Sequence, residues 1–275
     1  IPNFKKNINI LNKTIIKMKI SVIISKVDIA GMNILQSLQE KGYQDSIVIK
    51  EETITSENID KTERLKDTDL IIFATRHQSQ NPIPSLSVHT PGNWSEDSSH
   101  GGSPNKLCIA PALYLREAFL KLGELNESYN LNFDVVFECS HHGPYTEIPT
   151  MFIEIGSVEK QWKNKDAANI IADTILHLLQ IEPKIVPTVF GIGGQHTTSN
   201  FKKLITNHNL ALGHVCPKYM LEHLTELSIK QAIEKTIPNN SIQVILDWKG
   251  LGPHKEKITT MLNNLKIEYK RTKEF

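Results

Sequence analysis

Short runs of β-branched and aliphatic residues alternate along the chain with stretches whose apolar positions recur at helical spacing. Runs that stay apolar over successive positions are expected of strands buried on both faces. Strands are predicted on this basis at Ile20–Ser25, Ser46–Lys50, Leu70–Thr75, Val135–Cys139, Met151–Ile155, Leu210–Val215 and Gln243–Trp248. Helical periods lie between them. Ala168, Ile171, Ala172, Ile175, Leu178 and Leu179 make one apolar stripe over Asp166–Gln180, with Asp166 at the positive N-terminal end. A second helix is expected over Pro111–Leu122, and a third over Ile29–Lys41 that stops at Gly42. The alternation predicts an α/β fold, a mostly parallel or mixed sheet with helices on both faces.

Two intervals break the rhythm. From Arg76 to Asn105 the chain is crowded with Ser, Pro, Gly and Asn, and only Leu86–His89 offers a short strand. A loop of that length inside a compact domain is either functional or a solvated excursion, and this one carries His77, His89, His100 and Trp94. The first 17 residues are basic and rich in Asn and Ile, without the apolar core and cleavage site of a signal peptide. They read as a poorly ordered extension, a leader or loose arm, with one α/β domain over 18–275 whose two lobes would meet near 182–187.

Composition narrows the classes. With 39% hydrophobic and 22% charged residues the chain can bury a substantial core, and no apolar run reaches the length of a membrane span. A net charge of +1 supplies no overall basic field, so a nucleic-acid partner needs a local patch. Three scattered cysteines, Cys108, Cys139 and Cys216, without a CxxC pair, point to a reducing, cytoplasmic setting rather than a disulfide framework or Cys-rich zinc finger.

The chemistry concentrates in FECSHHGPYTEIPTMFIEIG, Phe137 to Gly156, where an apolar strand runs into Cys139, His141, His142, a Gly-Pro turn and Glu147. Ligand crevices of open α/β sheets lie outside strand carboxyl ends, so this is the primary candidate site. Other strand ends and the loops after them add His77, His196, His214 and Asp247, which predicts a shared polar cleft. In GIGGQH, Gly191, Gly193 and Gly194 permit a tight turn and close backbone approach to an anion before His196, but GxGG is not the dinucleotide fingerprint GxGxxG. Adjacent histidines on an extended segment point to opposite sides, so His141 and His142 serve one ion only if the Gly143-Pro144 turn bends the chain. Cys139, at the end of a buried strand, reads first as a small core residue. Ser140 and Cys139 lie beside His141, yet there is no GxSxG elbow, which favours an activated water over a side-chain nucleophile.

Seven segments in order, ATRHQS, VHTPGNW, FECSHHGP, PTMFIEIGS, GIGGQH, GHVCPKY and LDWKGL, resemble the archaeal and plant type of D-aminoacyl-tRNA deacylase from about Met18 onward. The chain departs from that pattern at Thr197–Asn200, where the family typically has an aromatic residue and a nearby proline. The resemblance implies a monomeric enzyme with a core like that of peptidyl-tRNA hydrolases and phosphorylases. It also implies zinc, two ions per subunit, and hydrolysis of the ester joining a D-amino acid such as D-tyrosine to tRNA, a proofreading reaction in translation.

Set against that chemistry, His77, His89, His141 and His142 are the candidate metal ligands, and His141, His142, Glu147 and His196 the candidate proton-transfer or orienting groups. Gly193, Gly194 and His214 are candidates for substrate contact, and Lys202, Lys203, Lys218 and Lys249 for a basic rim holding tRNA phosphates, with Lys255 and Lys257 beyond them. Glu147, Glu154 and Asp97 can accept from an α-ammonium group. Two alternatives stay open: a hydrolase of peptidyl-tRNA or N-modified aminoacyl-tRNA, and a noncatalytic tRNA-binding protein with structural zinc.

Overall fold

Residues 18–240 and 242–275 are described by the computed structural model; the expected N-terminal extension, 1–17, lies outside the described residues. The first half of the chain supplies β1 (Ile20–Ser25), β2 (Ile47–Ile49), β3 (Leu70–Arg76), β4 (Ser85–His89), a two-residue β5 (Ala110–Pro111), β6 (Asp134–Phe137) and β7 (Thr150–Gly156). All but β5 join one six-stranded sheet in the order β2-β1-β3-β7-β4-β6. Its pairings are parallel except β4 against β7, so β4 and β6 run opposite to the other four strands.

The second half supplies β8 (Thr188–Ile192), β9 (Ala211–Cys216), β10 (Thr236–Ile237), β11 (Ile242–Leu246) and β12 (Tyr269–Arg271). A wholly parallel four-stranded sheet runs β12-β11-β8-β9, while β10 pairs with β5. The longer helices are α1 (Ile29–Glu40), α2 (Ala112–Ser128), α3 (Lys165–Gln180), α4 (Glu226–Glu234) and α5 (Lys255–Asn264). Asp28 and Asn164 cap α1 and α3 by accepting from Gly31 N and Ala167 N, at 2.8 and 2.9 Å. Gly42, at φ +88°, lies just past the C-cap of α1. Helix α2 runs beyond the expected Leu122 to Ser128, because Leu125 still packs on the core.

Strand alternation sorts the six-stranded sheet into two unlike faces. Leu70, Ile72, Ala74, Leu86, Val88, Met151, Ile153 and Ile155 share a core with the apolar stripes of α1, α2 and α3. That core continues without a break into Val189, Leu212, Val215 and Ile245 of the second sheet. On the opposite face Ile71, Phe73 and Phe152 pack against Ile59 and Leu65 from short 3-10 turns. The same face also carries buried polar side chains, among them Ser87, His89 and Glu154. The second sheet has α4 and α5 on its other side, against Phe190, Ile192, Val244 and Leu246.

The segment after Arg76 is not a solvated excursion. Its strand β4 is an interior strand of the sheet, with every residue buried, and Thr90 and Trp94 beyond it are buried as well. Among the described residues no helix is long and apolar enough to cross a membrane.

Candidate active site

The polar half of the six-stranded sheet forms the floor of a cluster drawn from four strands. Glu154 projects from the middle of β7, two residues from Phe152 and on the same face. Ser87 of β4 donates to its Oε2 at 3.2 Å. His89 ends β4 with no exposed surface, its ring stacked on Phe152 at 5.0 Å and 11°. Glu138 follows β6, and its amide donates to Val88 O at 3.0 Å. His77 follows β3, and its Nδ1 lies 3.3 Å from Glu138 and 3.5 Å from Glu154.

The loop after β6 closes the cluster from above. His141 and His142 have ring centroids 4.3 Å apart and lie 4.3 and 4.8 Å from the ring of His89. The bend that brings both onto one side is in His142 itself, whose φ of +45° is left-handed and breaks the alternation of an extended chain. Each commits its Nδ1 proton to a main-chain carbonyl, His141 to Cys139 O at 2.9 Å and His142 to Gly143 O at 2.6 Å. Their Nε2 lone pairs are thereby left free.

The second sheet contributes the remaining wall through the loop after β8. His196 Nε2 lies 3.1 Å from Glu138 Oε2, and its Nδ1 lies 3.1 Å from Tyr219 Oη and 3.4 Å from Cys139 Sγ. Main-chain bonds hold this wall to the loop: Cys139 N to His196 O at 2.9 Å and Ser140 N to Val215 O at 3.1 Å. Below them Ser140 Oγ bonds His214 Nδ1 at 2.8 Å, His214 Nε2 meets Cys108 O at 3.1 Å, and Trp94 donates to Ser140 O at 2.9 Å. The Ser-His-His segment is therefore pinned from both sheets.

Charge divides the cluster in two. Burial opposes protonation of His77 and His196, but the carboxylates facing them, and for His196 also the Cys139 sulfur, outweigh it and raise the rings to about 9 and about 11. Burial alone would raise Glu138 and Glu154; the imidazoles around them reverse this and hold both below the usual carboxylate range. His141 falls well below its ordinary value and His142 to about 3, through burial first and the neighbouring rings second. At neutral pH two imidazolium-carboxylate pairs thus stand beside neutral imidazoles.

The sequence model described as D-aminoacyl-tRNA deacylase matches residues 64–270. The chain belongs to this family. Proteins named D-aminoacyl-tRNA deacylase from Pyrococcus furiosus and Methanococcus vannielii are each 34% identical to it. The first alignment covers 90% of this chain and 98% of that protein, the second 92% and 100%. A crystal structure titled as a conserved protein of unknown function superposes with a TM-score of 0.84 at 27% identity, covering 94% of this chain and 96% of the other.

Within this deacylase-family fold, the residues singled out from sequence are sorted unevenly. His77, His89, His141, His142 and His196 come together in one cluster. Glu147 does not join them: it is exposed, and its amide donates to the Asp60 carboxylate at 2.9 Å, because the Gly-Pro turn carries the chain away from the sheet. The acids of the cluster are Glu138 and Glu154, 2% and 3% exposed. Sequence marks Glu154 only as an ammonium acceptor, and the one signal it carries for Glu138 is a glutamate ending an apolar strand in VVFECS. Cys139 is buried and still presents its sulfur to His196 and Tyr219. Tyr219 lies inside the GHVCPKY motif, whose sequence assigns it no role.

His214 is wholly buried beneath the cluster, and burial together with Lys235 lowers it to about 3, so it supports the floor and does not face the cleft. Gly193 and Gly194, at φ +98° and +85°, make the turn into His196. A side chain at Gly193 would stand 3.1 Å from Asp247 O. Lys202, Lys218 and Lys249 are exposed and Lys203 is partly buried, all on loops or helix starts that follow strands of the second sheet.

Proposed function

We propose that this chain hydrolyses the ester between a D-amino acid and the 3′ end of tRNA, with zinc bound by His89, His141 and His142. Family membership supports the substrate class. One observation carries the metal: both ring nitrogens of His89 are buried without a hydrogen-bond partner, in contact with two further imidazoles whose Nε2 atoms are free. The ligand-capable atoms of the three residues all lie within 4.8 Å of one another. Three neutral imidazoles are a usual catalytic zinc set, and back-bonding of the other ring nitrogen to a carbonyl is how such ligands are oriented. His77, Glu138 and His196 form a second group of the same compactness, but the carboxylates hold its two imidazoles protonated, and a protonated ring has no lone pair for a metal, so we assign this group to proton transfer rather than to the second ion implied by the resemblance. Zinc supplies Lewis acidity and lowers the pKa of a bound water.

The chain's own groups divide the remaining work. Glu138, ionised and flanked by His77, His141 and His196, is placed to take the proton of the attacking water. His77 presents a cationic N–H where negative charge develops on the ester carbonyl. His196 has a side chain 33% exposed, against 17% for His77 and 24% for His141, so its imidazolium is the donor open to the leaving 3′ oxygen. Deacylation of D- and L-tyrosyl-tRNA, before and after chelation and after zinc is restored, tests the reading. Equal rates on both stereoisomers would refute it, as would full activity in folded, zinc-free protein.

A further inference from the structure

Trp248 lies just past β11, in a loop that abuts the one leading into His196. Asp247 N donates to Ile192 O at 2.9 Å, and a side chain at Gly250 would stand 2.6 Å from Gly194 N, so the 193–196 and 247–251 loops form one continuous rim. Trp248 packs partly on the second-sheet core. The Arg271 guanidinium lies 3.7 Å from the centre of its ring, and Lys255 Nζ lies 5.6 Å from it. Arg271 ends β12 in register with Leu246, two residues before the indole, and Lys255 opens α5.

This stack is not an ion-pair network. Among the described residues, the arginines that meet carboxylates are Arg76 and Arg116. The acids around the stack are otherwise engaged: Glu274 accepts from the Arg271 amide at 2.8 Å, and Asp247, buried, accepts from Asn200 at 2.6 Å. Glu256, next to Lys255, and Glu268 are exposed. A flat guanidinium-indole pair with an amine beside it fits unpaired nucleotides, which stack on aromatic and guanidinium planes while their phosphates meet cations.

We propose that Trp248, Arg271 and Lys255 form a platform that stacks and neutralises the single-stranded 3′-terminal nucleotides of an RNA, delivering the ester to the cluster at His196. The inference rests on the tRNA-ester reading. Its ligand is RNA with an unpaired 3′ end, and double-stranded RNA lacks the splayed bases the platform takes.

The test uses full-length, zinc-loaded protein and two RNA hairpins, one ending in the unpaired CCA trinucleotide and one trimmed flush. Wild type binds the overhang hairpin about tenfold to hundredfold tighter than the flush one, the range expected of one or two stacked bases. Arg271→Glu and Lys255→Glu each remove most of that preference and raise the half-saturating concentration of D-tyrosyl-tRNA by a similar factor, while the single-turnover rate at saturation stays within about twofold of wild type. Lys255→Glu is a change at a partly buried helix start, where the helix dipole favours acidic residues, so it guards against an Arg271 variant that fails to fold. Equal binding of both hairpins by wild type, or unchanged half-saturation in folded Lys255→Glu, overturns the platform. A wild type without activity on D-tyrosyl-tRNA that still prefers the overhang defeats the reaction assignment and leaves the platform standing.

Discussion

His142 holds a left-handed backbone, φ +45°, and by doing so sets its ring 4.3 Å from that of its neighbour His141. Two residues that an extended chain would aim apart are turned toward one group that includes His89. Asn tolerates this backbone better than Ala does. His142→Asn is therefore expected to lose zinc and activity while melting closer to wild type than His142→Ala, by about 1 kcal/mol. Metal analysis and denaturation of the two variants check this; equal zinc content in wild type and His142→Asn would contradict it.

Glu138 touches three of the five clustered imidazoles, so Glu138→Gln removes both a proton acceptor and the partner of two cations. The rate constant for deacylation should fall by about 10²- to 10⁴-fold. In zinc-free protein the His196 ring should titrate lower than in wild type, which NMR of the ring protons reads directly. Glu147→Gln, by contrast, should stay within about twofold of wild-type activity, because its side chain is exposed and turned away from the sheet.

Tyr219 is half exposed and joins His196 to the rim through its hydroxyl. Tyr219→Phe withdraws the acceptor from the His196 Nδ1 proton. We expect the ring's pKa to change and the rate constant to fall about tenfold with zinc content unaffected. A variant with wild-type pH dependence and rate would remove Tyr219 from the proton path.

Stability of the zinc-free protein should peak near pH 6.5. His142 and His214 have folded values near 3, below their unfolded value, so the unfolded chain binds more protons between about 3 and 6.5 and stability rises with pH across that window. His77 and His196 are raised to about 9 and about 11; their contribution is complete below 6.5 and is lost as pH climbs through those values. Denaturant midpoints across pH 4–10 test both limbs. His214→Gln should flatten the acid limb, and an unchanged slope would remove His214 from that account.

The sheet was legible where burial is plain. Strand β1 falls at Ile20–Ser25 as its apolar run predicts, and β3 and β7 differ from expectation only at their ends. β4 is legible only as a possible short strand, Leu86–His89, inside a polar loop, because alternate residues, Ser85, Ser87 and His89, are polar; they are buried on the face that carries Glu154 and the imidazoles, an environment that hydropathy does not encode. The same cause hid Glu138. A carboxylate closing an apolar strand reads as the exposed end of that strand until its partners, His77 and His196, are brought from 61 and 58 positions away. Histidines at strand ends announced the cleft, but which of them share a group depended on a single backbone angle at His142.

The main-chain bonds from Cys139 to His196 and from Ser140 to Val215 act as a seam between two sheets. Catalytic alignment is consequently a property of how the sheets abut, more than of either sheet alone. A small slip along that seam would part Glu138 from His196 while leaving every strand intact, so mild denaturant should silence the enzyme before it unfolds it.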